Sequence, residues 1–72
     1  MKWDELTIAE LRAIIFTSEE NRDIAARRKG KSLEKGKTEL ANEYGEEYII
    51  WRDIRIKANE VLNGKILLLD KV

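Results

Sequence analysis

The stretch T38-ELANEYGEEYIIWRDIRIKANEVL-N63 decides how this chain folds. At 100° per residue, Leu40, Tyr44, Tyr48, Ile50, Trp51, Ile54, Ala58, Val61 and Leu62 fall within an arc of about 160°, the broad apolar face of an amphipathic helix. That face needs a partner. Asn42, Glu46, Asp53 and Glu60 lie on the other side together with Ile49 and Ile56, which stand seven residues apart and so stack on one line. A helix that is apolar on two sides is expected to touch two neighbours.

The partner within the chain is the segment that precedes it. Thr7 and Glu10 have the spacing of a capping box, and Leu6 before the cap can staple onto Leu11, so a first helix is expected to start at Ile8. Its opening turns, from Ile8 to Phe16, are apolar nearly all round. A second capping pair, Thr17 with Glu20, marks either a new start or a point inside one helix running to about Lys29. The absence of Gly and Pro there favours continuity, with a kink allowed at Thr17.

Between the two helices lies KGKSLEKGK, with Gly30, Ser32 and Gly36 as turn signals, and residues 30–36 are read as the turn. Residues whose numbers sum to about 65 then face one another. That register sets Ile15 by Trp51, Leu11 by Ile54, Ile8 by Ala58 and Trp3 by Leu62, with Arg22 beside Glu43. The second helix is expected to end at Asn63 and Gly64, because glycine accepts the left-handed conformation that closes a helix. The remainder, KILLLDKV, is too short to span a membrane and too apolar to sit easily in water. It folds back near Trp3, pairs as a strand with a second copy, or extends the helix.

The expected architecture is all-α: an antiparallel two-helix hairpin, about 8–29 and 37–63. Residues 1–72 form one domain, with an N-terminal segment 1–7, a basic turn 30–36 and an apolar tail 64–72. Seventy-two residues bury only about 60% of the surface of the unfolded chain. With no Cys and no His, neither disulfide nor thiolate or imidazole metal site is available to staple so small a core. Self-association into a helical bundle, as dimer or tetramer, is the remaining device. Ile49, Ile56, Ile66, Leu67, Leu68 and Leu69 are the residues expected at that interface. No signal peptide or membrane span is evident, which reads as a cytoplasmic protein.

Fourteen basic residues balance fourteen acidic ones, yet their distribution is uneven. Arg27, Arg28, Lys29, Lys31, Lys35 and Lys37 stand against Glu34 alone, a net of +5. Glu39, Glu43, Glu46, Glu47 and Asp53 follow against Arg52, a net of −4. The six cations are a candidate site for an acidic protein partner, for nucleic acid or for a small anionic ligand. No aromatic lies among them to stack on a base. The four glutamates read as a solvated face, since bundle metal sites combine Glu with His. Tyr44, Tyr48 and Trp51 read as core aromatics rather than a ligand cage.

The fragments GKS at 30–32 and GKT at 36–38 lack the glycine spacing and the preceding strand of a nucleotide-phosphate loop. The run IAARRKGKSLEKGKTEL resembles the turn region of bacterial helix-turn-helix proteins, with Ile24 and Ala25 on the first helix, Gly30 near the turn and Ser32 as cap. It departs from that pattern at Arg28, where an apolar residue locks the two helices, and at Gly36, inside the supposed recognition helix. No nucleophile, base or metal constellation stands out, so a non-enzymatic protein without cofactor is expected.

The opening LTIAEL, the all-helical pattern and the charge-rich turn resemble the small helical-hairpin proteins of bacterial phages and mobile elements. That resemblance implies a regulator or inhibitor that binds a host protein, such as a defence component. Nucleic-acid or nucleotide binding through the 27–37 tip is the alternative.

Overall fold

The computed structural model describes residues 2–70; Met1 and the last two residues of the expected tail, 71–72, lie outside the described part. A short 3-10 turn at Trp3–Glu5 leads into helix α1, Ile8–Glu34, and helix α2, Thr38–Asp70, returns alongside it. The chain is an all-helical hairpin with no strand among the described residues, drawn out to 56 × 17 × 14 Å. At 1.5 Å per residue the 33 residues of α2 account for nearly all of that length.

Helix α1 begins as its sequence dictates. The Thr7 hydroxyl accepts from the Glu10 amide at 3.1 Å, and the Glu10 carboxylate accepts from the Thr7 amide at 3.0 Å, completing the capping box. The helix then runs unbroken through Thr17 and past Gly30 to Glu34, five residues beyond the expected end at Lys29. The reason is the turn. Gly36 sits at φ 72°, its amide donates to the Leu33 carbonyl at 3.0 Å, and the Lys37 amide donates to the Ser32 carbonyl at 2.8 Å. This Schellman closure satisfies the last carbonyls of α1 and needs a residue that tolerates the left-handed region. Gly36 provides it, so the turn is residues 35–37 rather than 30–36.

Moving the turn moves the register. Glu19 meets Arg55, Arg28 meets Tyr44 and Leu11 meets Ala58 and Leu62, so facing residues sum to about 73 instead of 65. The pairings Ile15–Trp51, Leu11–Ile54, Ile8–Ala58 and Trp3–Leu62 are therefore corrected by about eight residues. Arg22 joins its neighbour Asp23 at 3.2 Å instead of Glu43.

The seam that results is built of small side chains. Leu11, Ser18, Ala25 and Ser32, each seven residues after the last, are the buried positions of α1, and they meet Ala41, Ala58 and Leu62 of α2. Ser18 is fully buried, and its hydroxyl donates to the Ile14 carbonyl at 2.6 Å, which satisfies it within its own helix. At Gly45 the missing side chain leaves room for Lys29, whose Nζ lies 3.4 Å from where a Cβ would stand. At the open end larger apolar groups gather, with Trp3, Leu6, Ile8, Ile14, Ile15, Val61 and Ile66 packed around Leu11, Ala58 and Leu62.

Helix α2 does not stop at Asn63 and Gly64 but continues to Asp70. Glycine inside a helix costs only about 1 kcal/mol relative to alanine. Here the next turn has partners, because Lys65 donates to the Asp4 carbonyl at 3.0 Å and Ile66 packs on the Leu11 cluster. The tail expected from residue 64 onward is thus helical as far as Asp70, neither strand nor folded-back coil.

Candidate interaction surface

A seam of alanine and serine cannot cover the larger side chains on either side of it. Among the described residues the buried apolar set is Leu11, Ala25, Ala41, Ala58 and Leu62, whereas nine large apolar residues are exposed. Three of the five buried ones are alanines, so little apolar area leaves water within one chain. What remains uncovered falls on two faces of the hairpin and on its end.

The first face is a groove of about 420 Å³ whose walls are Ile14, Thr17 and Ser18 of α1 and Trp51 and Ile54 of α2, with Trp3 closing one end. Heptad spacing continues this face along the molecule. On α1, Ile14 and Arg28 share one line and Thr17, Ile24 and Lys31 another; on α2, Tyr44 and Trp51 share one line and Leu40, Glu47 and Ile54 another. Towards the tip the same face becomes basic. Arg28, Lys31, Lys35 and Lys37 surround Leu40 and Tyr44 there, and the Arg28 guanidinium lies 6.0 Å from the Tyr44 ring centre, a cation–π contact.

Sequence reasoning placed Tyr44, Trp51 and Ile54 in the hairpin contact. The structure leaves all three half-buried at the groove, because the line of α2 that faces the seam of α1 is the one holding Ala41 and Leu62, and Tyr44, Trp51 and Ile54 stand beside it. Ile14 is a groove residue to which the sequence alone assigns no role, while Trp3 and Trp51, expected opposite Leu62 and Ile15, border the groove instead. The signal was present: Leu11, Ser18, Ala25 and Ser32 recur at seven, and small residues at that period mark a close helix contact that excludes bulky neighbours.

The second face carries Ile49, which with Leu33, Ala26, Gly45 and Tyr48 surrounds a shallow hollow crossed by Lys29. Ile56 stands one heptad further along the same line, and both isoleucines are exposed. Of the four tail residues, Ile66 is half-buried against the open-end cluster, while Leu67, Leu68 and Leu69 are more than 60% exposed. The structure therefore separates Ile49 and Ile56, at the middle of α2, from the tail at its end.

Arg27, Arg28, Lys29, Lys31, Lys35 and Lys37 are all exposed, yet they do not form one cluster. Four border the groove side of the tip, Lys29 lies across Gly45 on the second face, and Arg27 borders a polar hollow with Glu20 and Asp23. None of the six forms an ion pair among the described residues. The cross-helix ion pair that does form is Arg55 with Glu19, at 2.8 Å over the buried Ser18. It is about a third exposed, which puts its worth in the range of roughly 0.2–1 kcal/mol.

Among the described residues no group of three His, Cys, Asp or Glu side chains is placed to hold a metal ion, and no helix is long and apolar enough to cross a membrane. The titration of Glu10 is pulled below the ordinary glutamate range, first by the Thr7 amide and then by its hydroxyl, which is a property of the helix cap. Comparison with protein-family models, with curated proteins and with solved structures returned no match.

Proposed function

We propose that this is a non-enzymatic binding protein whose hairpins associate into a helical bundle and offer the remaining apolar and basic surface to a protein partner. One observation carries the reading: a single hairpin closes on a seam of Ser18, Ala25, Ser32 and Ala41 and leaves its large apolar residues on two outer faces. Contiguous exposed apolar surface of that kind marks an interface rather than a solvated helix. Ile49, Ile56, Ile66, Leu67, Leu68 and Leu69 belong to the association surface in this reading, and the cations of the tip meet an acidic partner. The resemblance to hairpin proteins of phages and mobile elements makes that partner a host protein, with the chain as its regulator or inhibitor in the cytoplasm.

Light scattering during gel filtration, at low and high salt, tests the reading. A discrete dimer or tetramer that is free of nucleic acid and keeps its mass in high salt supports it, and a monomer at about 100 μM overturns it. Ile49→Glu with Ile56→Glu should lower the mass while helicity stays. An unchanged mass removes both residues from the association surface.

A second reading is favoured by the gathering of Arg28, Lys31, Lys35 and Lys37 around Tyr44. Four cations on one side of a helix turn suit an anionic ligand, with phosphate contacts that weaken as salt rises. In this reading Arg28→Gln, Lys31→Gln and Lys35→Gln together abolish binding to a nucleic-acid probe. Unchanged affinity would discard it.

A further inference from the structure

The groove between Ile14 and Trp51 is an open apolar hollow of about 420 Å³ on one side of the hairpin, large enough to need an occupant. We infer that it is filled by a second copy of this chain lying in the same direction, related by a two-fold axis along the hairpin's length. In that arrangement α1 of each copy packs against α2 of the other and both tips come to the same end. The inference rests on the bundle-forming reading above and adds to it a second contact, through the groove rather than through Ile49 and Ile56, with its occupant and direction.

Area is the first argument. A compact monomer of 8.4 kDa exposes about 4,600 Å² by the usual scaling of surface with mass. This chain exposes 5514 Å², roughly 900 Å² more. A standard protein–protein interface buries about 800 Å² on each partner, so one such contact returns the chain to the surface expected of its mass.

Level is the second argument. Two hairpins side by side in the same direction bring like heights together, so Trp51 and Ile54 of both copies, with Ile14 about 8–12 Å nearer the open end, line one apolar stretch around the axis. In the opposite direction, with α1 fully overlapped on itself, Arg28 comes level with Ile14 and Lys31 with Leu11. That sets cations against the apolar part of the groove, where a buried charge without a partner is costly.

Charge is the third. Near the tip, α1 carries Arg28 and Lys31 on the groove side, while α2 carries Glu47 on the Leu40–Ile54 line and Glu43 beside Leu40. These charges are not paired with each other across the hairpin among the described residues. With facing residues summing to about 73, Lys31 lies level with residue 42 and Arg28 with residue 45. The same-direction pair therefore sets Arg28 and Lys31 against Glu43 and Glu47 of the second copy. Charges at the rim select direction, and the apolar layer supplies the affinity.

The cysteine-free sequence makes the test direct, because Glu34→Cys at the exposed end of α1 provides one thiol for a spin label. Same-direction dimers place the two labels about 20–35 Å apart, two to three helix spacings plus the label arms. A separation near the 56 Å length of the molecule overturns the direction while leaving the bundle-forming reading intact. A monomer overturns both. Glu43→Lys with Glu47→Lys should weaken the dimer about tenfold or more at low salt, and adding Arg28→Glu with Lys31→Glu should restore it. If the fourfold variant is as weak as the double, the proposed charge pairing is wrong.

Discussion

The two ends of this hairpin are held by different physics. At the open end Leu11 and Leu62 are buried, Trp3, Leu6, Ile8 and Ile66 gather on them, and Lys65 ties α2 to the Asp4 carbonyl. At the tip Ala25, Ser32 and Ala41 let the helices approach, little apolar area is covered, and closure depends on the turn at Gly36. The open end is stabilised by burial and the tip by connectivity and small volume. A ligand or partner at the basic tip therefore meets the part of the molecule with the least apolar burial of its own, where docking can order what packing does not.

The largest expected effect lies in the open-end cluster. Leu11→Ala removes the one large apolar side chain that is completely buried among the described residues and should cost about 2–5 kcal/mol. In a domain of this size that is most of the stability. Urea or thermal melts at matched protein concentration measure it, the concentration being fixed because association would add to apparent stability. A loss below about 1 kcal/mol would mean that the open end is not the anchor and would dissolve the contrast.

Ala25→Leu probes the tip half by the opposite operation. Three extra carbon atoms cannot fit a seam of alanine and serine, so overpacking should cost about 1–3 kcal/mol. The same enlargement at exposed Ala26, one residue away, should be nearly neutral, and the pair of melts together reads the closeness of the seam. Gly36→Ala comes next. Its φ of 72° carries a penalty of about 1–2 kcal/mol for any residue with a Cβ, although nothing lies within 4 Å of that position. Urea unfolding should detect the loss, and an unchanged midpoint would show that the turn relaxes without strain.

The sequence made some of this legible and hid the rest for identifiable reasons. Two helices, their antiparallel order and the cap at Thr7 follow from local rules: apolar period, capping spacing and the absence of proline. The register did not follow, because Gly30 and Gly36 offer the same turn chemistry and only the tertiary fit chooses between them. Gly64 misled in the same way, since glycine permits a helix end without requiring one when the next turn finds Asp4 and the Leu11 cluster. The interaction surface was hidden by a habit of reading bulk as core. Trp51 and Ile54 are large and apolar, yet they are left half-buried at the groove while Ala41 and Leu62 are buried against α1.

The smallest effects sit at the start of α1. Thr7→Ala deletes the hydroxyl that accepts from the Glu10 amide and should cost about 1 kcal/mol, read from the same melts. Glu10 adds a pH dependence. Its folded titration is lowered by the Thr7 amide first and the Thr7 hydroxyl second, so the unfolded chain binds the proton more tightly than the folded one. The contribution is therefore fully present above the ordinary glutamate value and is lost as pH falls through the lower folded value. With no histidine in the chain, the Glu10 contribution should leave stability flat around neutrality and decline only as Glu10 itself takes up its proton. Glu10→Gln should reduce the acid-side slope slightly, and an identical slope would mean that the exposed cap does not distinguish the two charge states of the side chain. Because the cap belongs to the open end, amide exchange should show any acid-induced loosening at residues 8–10 before it reaches the turn at 35–37, where no carboxylate takes part in the closure.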